Sequence, residues 1–107
     1  MEKVYIIRYE DFDDYNGNYS GISYVFANEK QAKNMLQTIY KDELRDLLYQ
    51  YTDDFDDEEI DENEYEIRAI NNDIEIKQNE YSIQFTMGGG DRIIKYILEE
   101  TEIQKTE

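Results

Sequence analysis

The alternation of hydrophobic and polar residues at the start of the chain predicts a β-hairpin. Lys3 to Tyr9 are β-branched or aromatic almost throughout, which is typical of a central strand. A polar stretch follows, and its Asn16-Gly17 pair is a strong hairpin-turn signal. Ile22 to Phe26 then predicts the returning strand. The loop between the strands begins with a group of acidic residues, Glu10 to Asp14.

The hydrophobic positions that follow recur at helical spacing. Asn28 and Gln31 have the spacing of an N-cap and its capping-box partner. From Ala32 onwards, hydrophobic side chains return every three or four residues. We therefore predict an amphipathic helix from Glu29 to Tyr51, with one apolar face directed at the sheet.

The second half of the chain predicts a three-stranded meander and a short helix. The predicted strands are Tyr65 to Ile70, Ile74 to Lys77 and Tyr81 to Met87, with a turn at residues 71–73. After Gly88 to Gly90, Asp91 can cap a final helix. One face of that helix would carry Ile93, Ile94, Ile97 and Leu98, and the tail from Thr101 would fray. The order is β-β-α-β-β-β-α, which predicts a single α+β domain over residues 1–107, with a mainly antiparallel sheet covered by one long and one short helix.

The most unusual segment is Asp53 to Glu66, in which ten of fourteen residues are carboxylates and none is basic. Charges this dense cannot be buried unpaired, so the segment must face water or a cationic partner. A second acidic cluster lies at Glu10 to Asp14, and the chain has a formal net charge of −16. This charge disfavours direct binding to nucleic acid or anionic membranes, and it favours basic proteins or metal cations.

Several function classes are disfavoured by composition. The chain contains no Cys and no His, which removes thiol nucleophiles, zinc–thiolate sites and the usual general base. Solvated carboxylates lack the raised pKa that a general acid needs, so we expect no enzymatic activity and no cofactor. No apolar run is long enough to span a membrane, and the N-terminus does not look like a secretion signal, so we expect a cytoplasmic protein.

Dedicated metal and phosphate sites are not indicated by any motif. An EF-hand loop that begins at Asp54 would need Gly at the position of Glu59 and Glu at the position of Tyr65. In a loop that begins at Asn16, the twelfth position, which requires Glu, is Ala27. The run of three glycines lacks the Lys-Ser/Thr of a P-loop, so a turn is the better interpretation. A module that responds to divalent ions through the acidic run is kept as a third hypothesis.

The charge density of the acidic run approaches that of nucleic acid. As a helix the fourteen residues would span ~21 Å, or ~2.1 Å per carboxylate, compared with ~1.7 Å per charge in duplex DNA. As a strand they would span ~46 Å, or ~4.6 Å per carboxylate, so a compact conformation is the better mimic. The predicted main binding surface comprises Asp53, Asp54, Asp56, Asp57, Glu58, Glu59, Asp61 and Glu62. Asp11, Asp13 and Asp14 are auxiliary, and Phe55, Phe12, Tyr15 and Tyr19 are candidate aromatic contacts, with packing onto the core as the alternative for each aromatic.

In size, charge and the segment Asp53 to Glu66, the chain resembles small acidic phage- or plasmid-encoded inhibitors that mimic nucleic acid, including anti-CRISPR and anti-restriction proteins. The resemblance implies an inhibitor in the host cytoplasm that occupies the DNA-binding groove of a CRISPR effector or another defence nuclease. Some such inhibitors instead dimerise their target or block its conformational change. The alternative is a structural or assembly protein that pairs through its sheet edge or helix face, with the acidic run serving only solubility.

Overall fold

A computed structural model describes residues 2–52, 55–56 and 58–103. The strands are β1 (Glu2–Asp13), β2 (Gly17–Phe26), β3 (Glu75–Gln78), β4 (Ser82–Met87) and β5 (Arg92–Ile103), and the helices are α1 (Glu29–Tyr51) and α2 (Tyr65–Asn71). Short 3-10 turns occupy Glu62–Glu64 and Gly88–Gly90. All strand pairs are antiparallel, and the sheet order is β2-β1-β5-β4-β3. The predicted α+β class, with an antiparallel sheet and one long and one short helix, is confirmed.

The first hairpin is longer than its hydrophobic pattern predicted. β1 and β2 continue through most of the predicted loop and are joined by a tight turn that ends at Gly17, whose φ of 95° suits glycine. Pairing shifts by one residue between Ile7 and Arg8, which leaves Ser23 as the extra residue of a β-bulge. The acidic cluster at the end of β1 therefore sits on ordered strand and turn backbone.

The long helix has the predicted bounds. The side chain of Asn28 accepts a hydrogen bond from the backbone N–H of Gln31 at 3.1 Å, which confirms the predicted N-cap. The buried face of α1 packs on the four strands β1, β2, β4 and β5, while α2 packs beside it and on β3. The buried α1 residues are Ala32, Leu36, Tyr40, Leu44, Leu47 and Leu48.

The predicted C-terminal helix is wrong, because residues from Arg92 to Ile103 form β5, the central strand of the sheet. Ile94 and Leu98 are buried against the helices, with Tyr96 between them on the same face. β5 pairs with β1 over twelve residues and with β4 on its other side, so it joins two hairpins that would otherwise remain separate. The predicted fraying from Thr101 is also wrong for residues 101–103, which continue the strand.

The predicted strand from Tyr65 to Ile70 is helix α2 instead. Tyr65 and Ala69 are buried and lie four residues apart, which is the spacing of one helix face. The missed signal is upstream, where Asp61 accepts a hydrogen bond from the N–H of Asn63 at 3.0 Å and begins the 3-10 turn that leads into α2. The predicted strands of β3 and β4 are confirmed to within one residue.

The core lies between the sheet and the helices. Phe85 and Ile83 of β4 and Ile7 of β1 are fully buried. Tyr40 of α1 stacks on Phe85, with ring centroids 5.7 Å apart. The opposite face of the sheet, which none of the described helices covers, carries Phe12, Ile22 and Val25 at 41%, 52% and 58% exposure.

Candidate partner-binding surface

The acidic segment is held against α1 at both of its ends. Near its start, Phe55 packs edge-on against the rings of Tyr49 and Tyr65, at centroid distances of 4.8 and 5.3 Å. Near its end, the Tyr40 hydroxyl donates a hydrogen bond to the carboxylate of Glu66. These contacts place aromatic residues of the protein on both sides of the described part of the run, residues 58–64.

Within the described part of the segment the backbone is compact. The carbonyl of Asp56 accepts hydrogen bonds from the N–H groups of Glu59 and Ile60, at 3.2 and 3.1 Å. The carbonyl of Asp61 accepts one from Glu64 at 2.9 Å and closes the 3-10 turn. Ile60 packs on the core as a partly buried side chain. These turns bring the carboxylates closer together along the surface than an extended strand would.

Four of the five predicted main-surface acids that the structure describes are exposed, and none of the five forms an ion pair with a described cation. Glu58, Glu59, Asp61 and Glu62 are exposed, and none forms an ion pair with a cation in the described part of the chain. Asp56 is half-buried, and its carboxylate accepts a hydrogen bond from the N–H of Glu58. The other predicted acids of this run, Asp53, Asp54 and Asp57, lie outside the described residues.

Negative charge is strongly concentrated in the acidic segment and in the end of α1 that precedes it. Residues 42–66 contain 13 of the 27 acidic residues and one of the 11 basic residues, Arg45. Arg45 lies 3.7 and 3.9 Å from Asp42 and Asp46 on α1. Lys41 lines a cleft together with Glu62 and Glu66 but forms no ion pair with them, so the described cations compensate the charge of the segment only in small part.

The auxiliary acids differ in their availability. Asp11 forms an ion pair with Arg92 at 3.2 Å and is therefore already neutralised. The carboxylate of Asp13 accepts hydrogen bonds from the side chain of Asn16 and from two backbone N–H groups, and these bonds hold its pKa below the usual value. Asp14 is exposed. Asp13 and Arg92 line a cleft together with Tyr51, the last residue of α1, so this cluster lies at the end of the molecule from which the acidic segment departs.

The aromatic candidates divide into buried and exposed groups. The prediction that Phe55 presents an exposed contact is wrong, because the residue is 8% exposed and its ring fills the space between α1 and α2. Tyr15 is 84% exposed at the hairpin turn, and Tyr19 is 59% exposed. Phe12 points from the sheet face opposite the helices. Of the four, Tyr15 and Tyr19 are the aromatics that accompany exposed acids.

A partly buried acid on α1, Glu43, gives a testable pH dependence. Burial raises the pKa of Glu43, and the Tyr96 hydroxyl, which donates to it at 3.3 Å, opposes that shift. A carboxyl whose pKa is higher in the folded state loses stability as pH rises from its unfolded pKa through its folded pKa. Glu43→Gln should therefore stabilise the protein against urea at pH 7, and this gain should vanish below about pH 4, where both forms are neutral. A gain that is equal at both pH values would contradict the assignment.

The remaining sequence motifs form no ligand site among the residues described. Gly88 to Gly90 all have positive φ and form the turn between β4 and β5, not the predicted turn into a helix. Within the described ranges, no three His, Cys, Asp or Glu side chains are grouped in a way that could hold a metal ion. Neither described helix combines the length and apolar character that crossing a membrane requires.

Comparison with known proteins gives no assignment: no protein-family model, curated protein or solved structure matches this chain significantly.

Proposed function

We propose that this protein is a non-enzymatic inhibitor that binds a basic, nucleic-acid-binding protein through its acidic segment. A CRISPR effector or another defence nuclease is the partner class we favour, as the resemblance to acidic inhibitors implies. The observation that carries the proposal is the group of exposed carboxylates from Glu58 to Glu66, which has no ion pair to a described cation and lies between the contacts of Phe55 and of Glu66 with the helices.

The spacing of these carboxylates supports mimicry of a phosphate backbone. Six acids fall within residues 58–66. Along the 3-10 turn at Glu62–Glu64 and the start of α2, the acids Glu62, Glu64 and Glu66 are two residues apart, or about 3–4 Å along the axis. One DNA strand carries a charge about every 3.4 Å. A groove lined with Arg and Lys could therefore pair with these carboxylates at nearly the spacing it uses for phosphates.

The mechanism requires displacement of DNA and no chemical step. A DNA-binding groove attracts polyanions over a Debye length of about 8 Å at physiological salt, which speeds encounter with the acidic segment. Once bound, the carboxylates occupy the sites of the phosphates. The enzyme then holds no nucleic-acid strand that it could cleave. Inhibition then lasts as long as the complex does.

The uncovered sheet face favours a second candidate, an assembly protein that pairs through its sheet. The apolar residues on that face lie on the opposite side of the sheet from the acidic segment, so the two surfaces can act separately. An assembly function alone predicts binding that tolerates salt, because apolar contacts are not screened.

Capture from a bacterial lysate separates these two candidates. The immobilised protein should retain a basic nucleic-acid-binding protein at about 50 mM salt and release most of it at about 200 mM, since replacing several phosphate contacts makes binding steeply salt-dependent. Retention of the same protein at both salt concentrations, or capture of proteins without a basic surface, would contradict the proposed function.

A further inference from the structure

The uncovered sheet face, which we call the open face, carries two groups of apolar side chains on β2, β1 and β5, separated by a polar row that runs from Ser20 through Glu10 to Lys95. Strand register places Ile6 of β1 opposite Val25, and Phe12 opposite Ile93. Arg8 lies between Ile22 on one side and Ile97 on the other. Groups of exposed apolar side chains of this kind mark interaction sites.

The open face is much closer to electrical balance than the rest of the chain. Its central charges are Arg8, Glu10, Lys95 and Glu99. Arg8 forms an ion pair with Glu99 at 2.8 Å, and Glu10 is directly opposite Lys95 in the strand register. The register also places Glu2, Glu75 and Lys77 on this face, so it carries three cations and four anions in a chain with a net charge of −16.

We propose that a second copy of this chain packs on the open face, so that two sheets form a face-to-face dimer. A second copy fits because the face carries paired charges of both signs and an excess of one anion, so a two-fold axis brings little uncompensated charge into the interface. A basic partner would instead be drawn to the acidic segment. This inference does not depend on the proposed function.

The geometry keeps the repelling parts of the two copies apart. The acidic segment contacts α1 and α2 through Phe55 and Glu66, on the helix side of the sheet. Two packed sheets lie about 10 Å apart, and each helix layer adds about 10 Å. The two acidic segments would thus be about 30 Å apart, several times the Debye length of about 8 Å at physiological salt.

The area of the open face is sufficient for a stable dimer. The five strands comprise 44 residues, and each covers about 3.4 by 4.8 Å of the sheet, which gives about 700 Å² per copy. The total of about 1,400 Å² falls within the range of about 1,200–2,000 Å² for specific interfaces. Polar residues of β3 and β4, including Gln84 and Thr86, would form part of the rim.

The test is the solution mass of the protein and of matched variants by sedimentation equilibrium, at tens of micromolar and physiological salt. The chain mass is 12.9 kDa, and we expect a species of twice that mass. Ile22→Glu with Val25→Glu should weaken dimerisation at least tenfold, since it replaces the two most exposed apolar side chains of the open face with charge. Both residues are more than half exposed in the monomer, so circular dichroism should show the fold retained.

Ile67→Glu with Ile70→Glu is the control. These isoleucines of α2 are 60% and 61% exposed, and the change in charge is the same. The control should remain a dimer, and added salt should maintain or tighten the wild-type dimer because net repulsion is screened. A monomeric wild-type protein, or dissociation by the α2 substitutions but not by the β2 substitutions, would overturn the inference. Loss of salt-sensitive capture with the dimer intact would contradict only the proposed function.

Discussion

Replacing Glu58, Glu59, Glu62 and Glu64 together with Gln should weaken binding to the captured nucleic-acid-binding protein by about 100-fold. This corresponds to about 0.7 kcal/mol for each carboxylate, within the range for exposed ion pairs. All four side chains are exposed. The set leaves out Asp56 and Asp61, whose carboxylates accept backbone hydrogen bonds that shape the segment. Single substitutions should each change affinity only a few-fold. The measurement is the dissociation constant at low salt.

The control removes four acids elsewhere and has the same net charge. Glu75, Glu80, Glu100 and Glu102 are exposed residues of β3, β5 and a loop. Changed together to Gln, they also lower the net charge from −16 to −12. Because they lie outside the acidic segment, this variant should bind nearly as well as the wild type. Equal losses from the two sets would show that total charge, and not the acidic segment, determines binding.

Phe55→Ala should lower the free energy of unfolding by about 3 kcal/mol, because truncating a buried Phe removes its transfer energy and leaves a cavity. The ring is 8% exposed and contacts Tyr49 and Tyr65, so its loss also releases the start of the acidic segment from α1. Urea unfolding measures the stability change. Hydrogen exchange at Glu59 and Ile60, whose amides bond to the Asp56 carbonyl, measures the release.

Tyr15→Ala provides the comparison for Phe55. Tyr15 is also an aromatic beside acidic residues, but it is 84% exposed, so its truncation should cost less than about 0.5 kcal/mol. If Phe55→Ala left stability within about 1 kcal/mol of the wild type yet abolished binding, Phe55 would be a direct contact of the partner. That result would contradict the packing described above.

The elements predicted correctly were those with a long local pattern. The 23 residues of α1 repeat the helical spacing many times and carry a clear cap, so both ends were predictable. β5 was not, because its isoleucines fit a helix face as well as a strand and its position depends on pairing with β1, far away in the sequence. α2 was missed because Tyr65 to Ile70 also alternates in the manner of a strand.

The candidate surface was predictable in composition but not in packing. A run of carboxylates must be solvated, whatever the fold, which is why the exposed acids could be named from the sequence. Whether Phe55 turned inward depended on the packing of α1 and α2, and the direction of Phe12 depended on the strand register of β1, neither of which a local pattern shows. The open face could not be predicted from the sequence either, because it forms only when β5 pairs with β1.

The central claim is that the acidic segment occupies the site of nucleic acid on its partner. The most direct test titrates the protein into a complex of the captured partner with a fluorescently labelled DNA duplex and follows the anisotropy of the label. The account predicts full displacement of the duplex by the wild type and by the Glu75, Glu80, Glu100 and Glu102 variant, with about 100-fold more of the Glu58, Glu59, Glu62 and Glu64 variant needed. A ternary complex, in which the partner holds the duplex and this protein together, would contradict it.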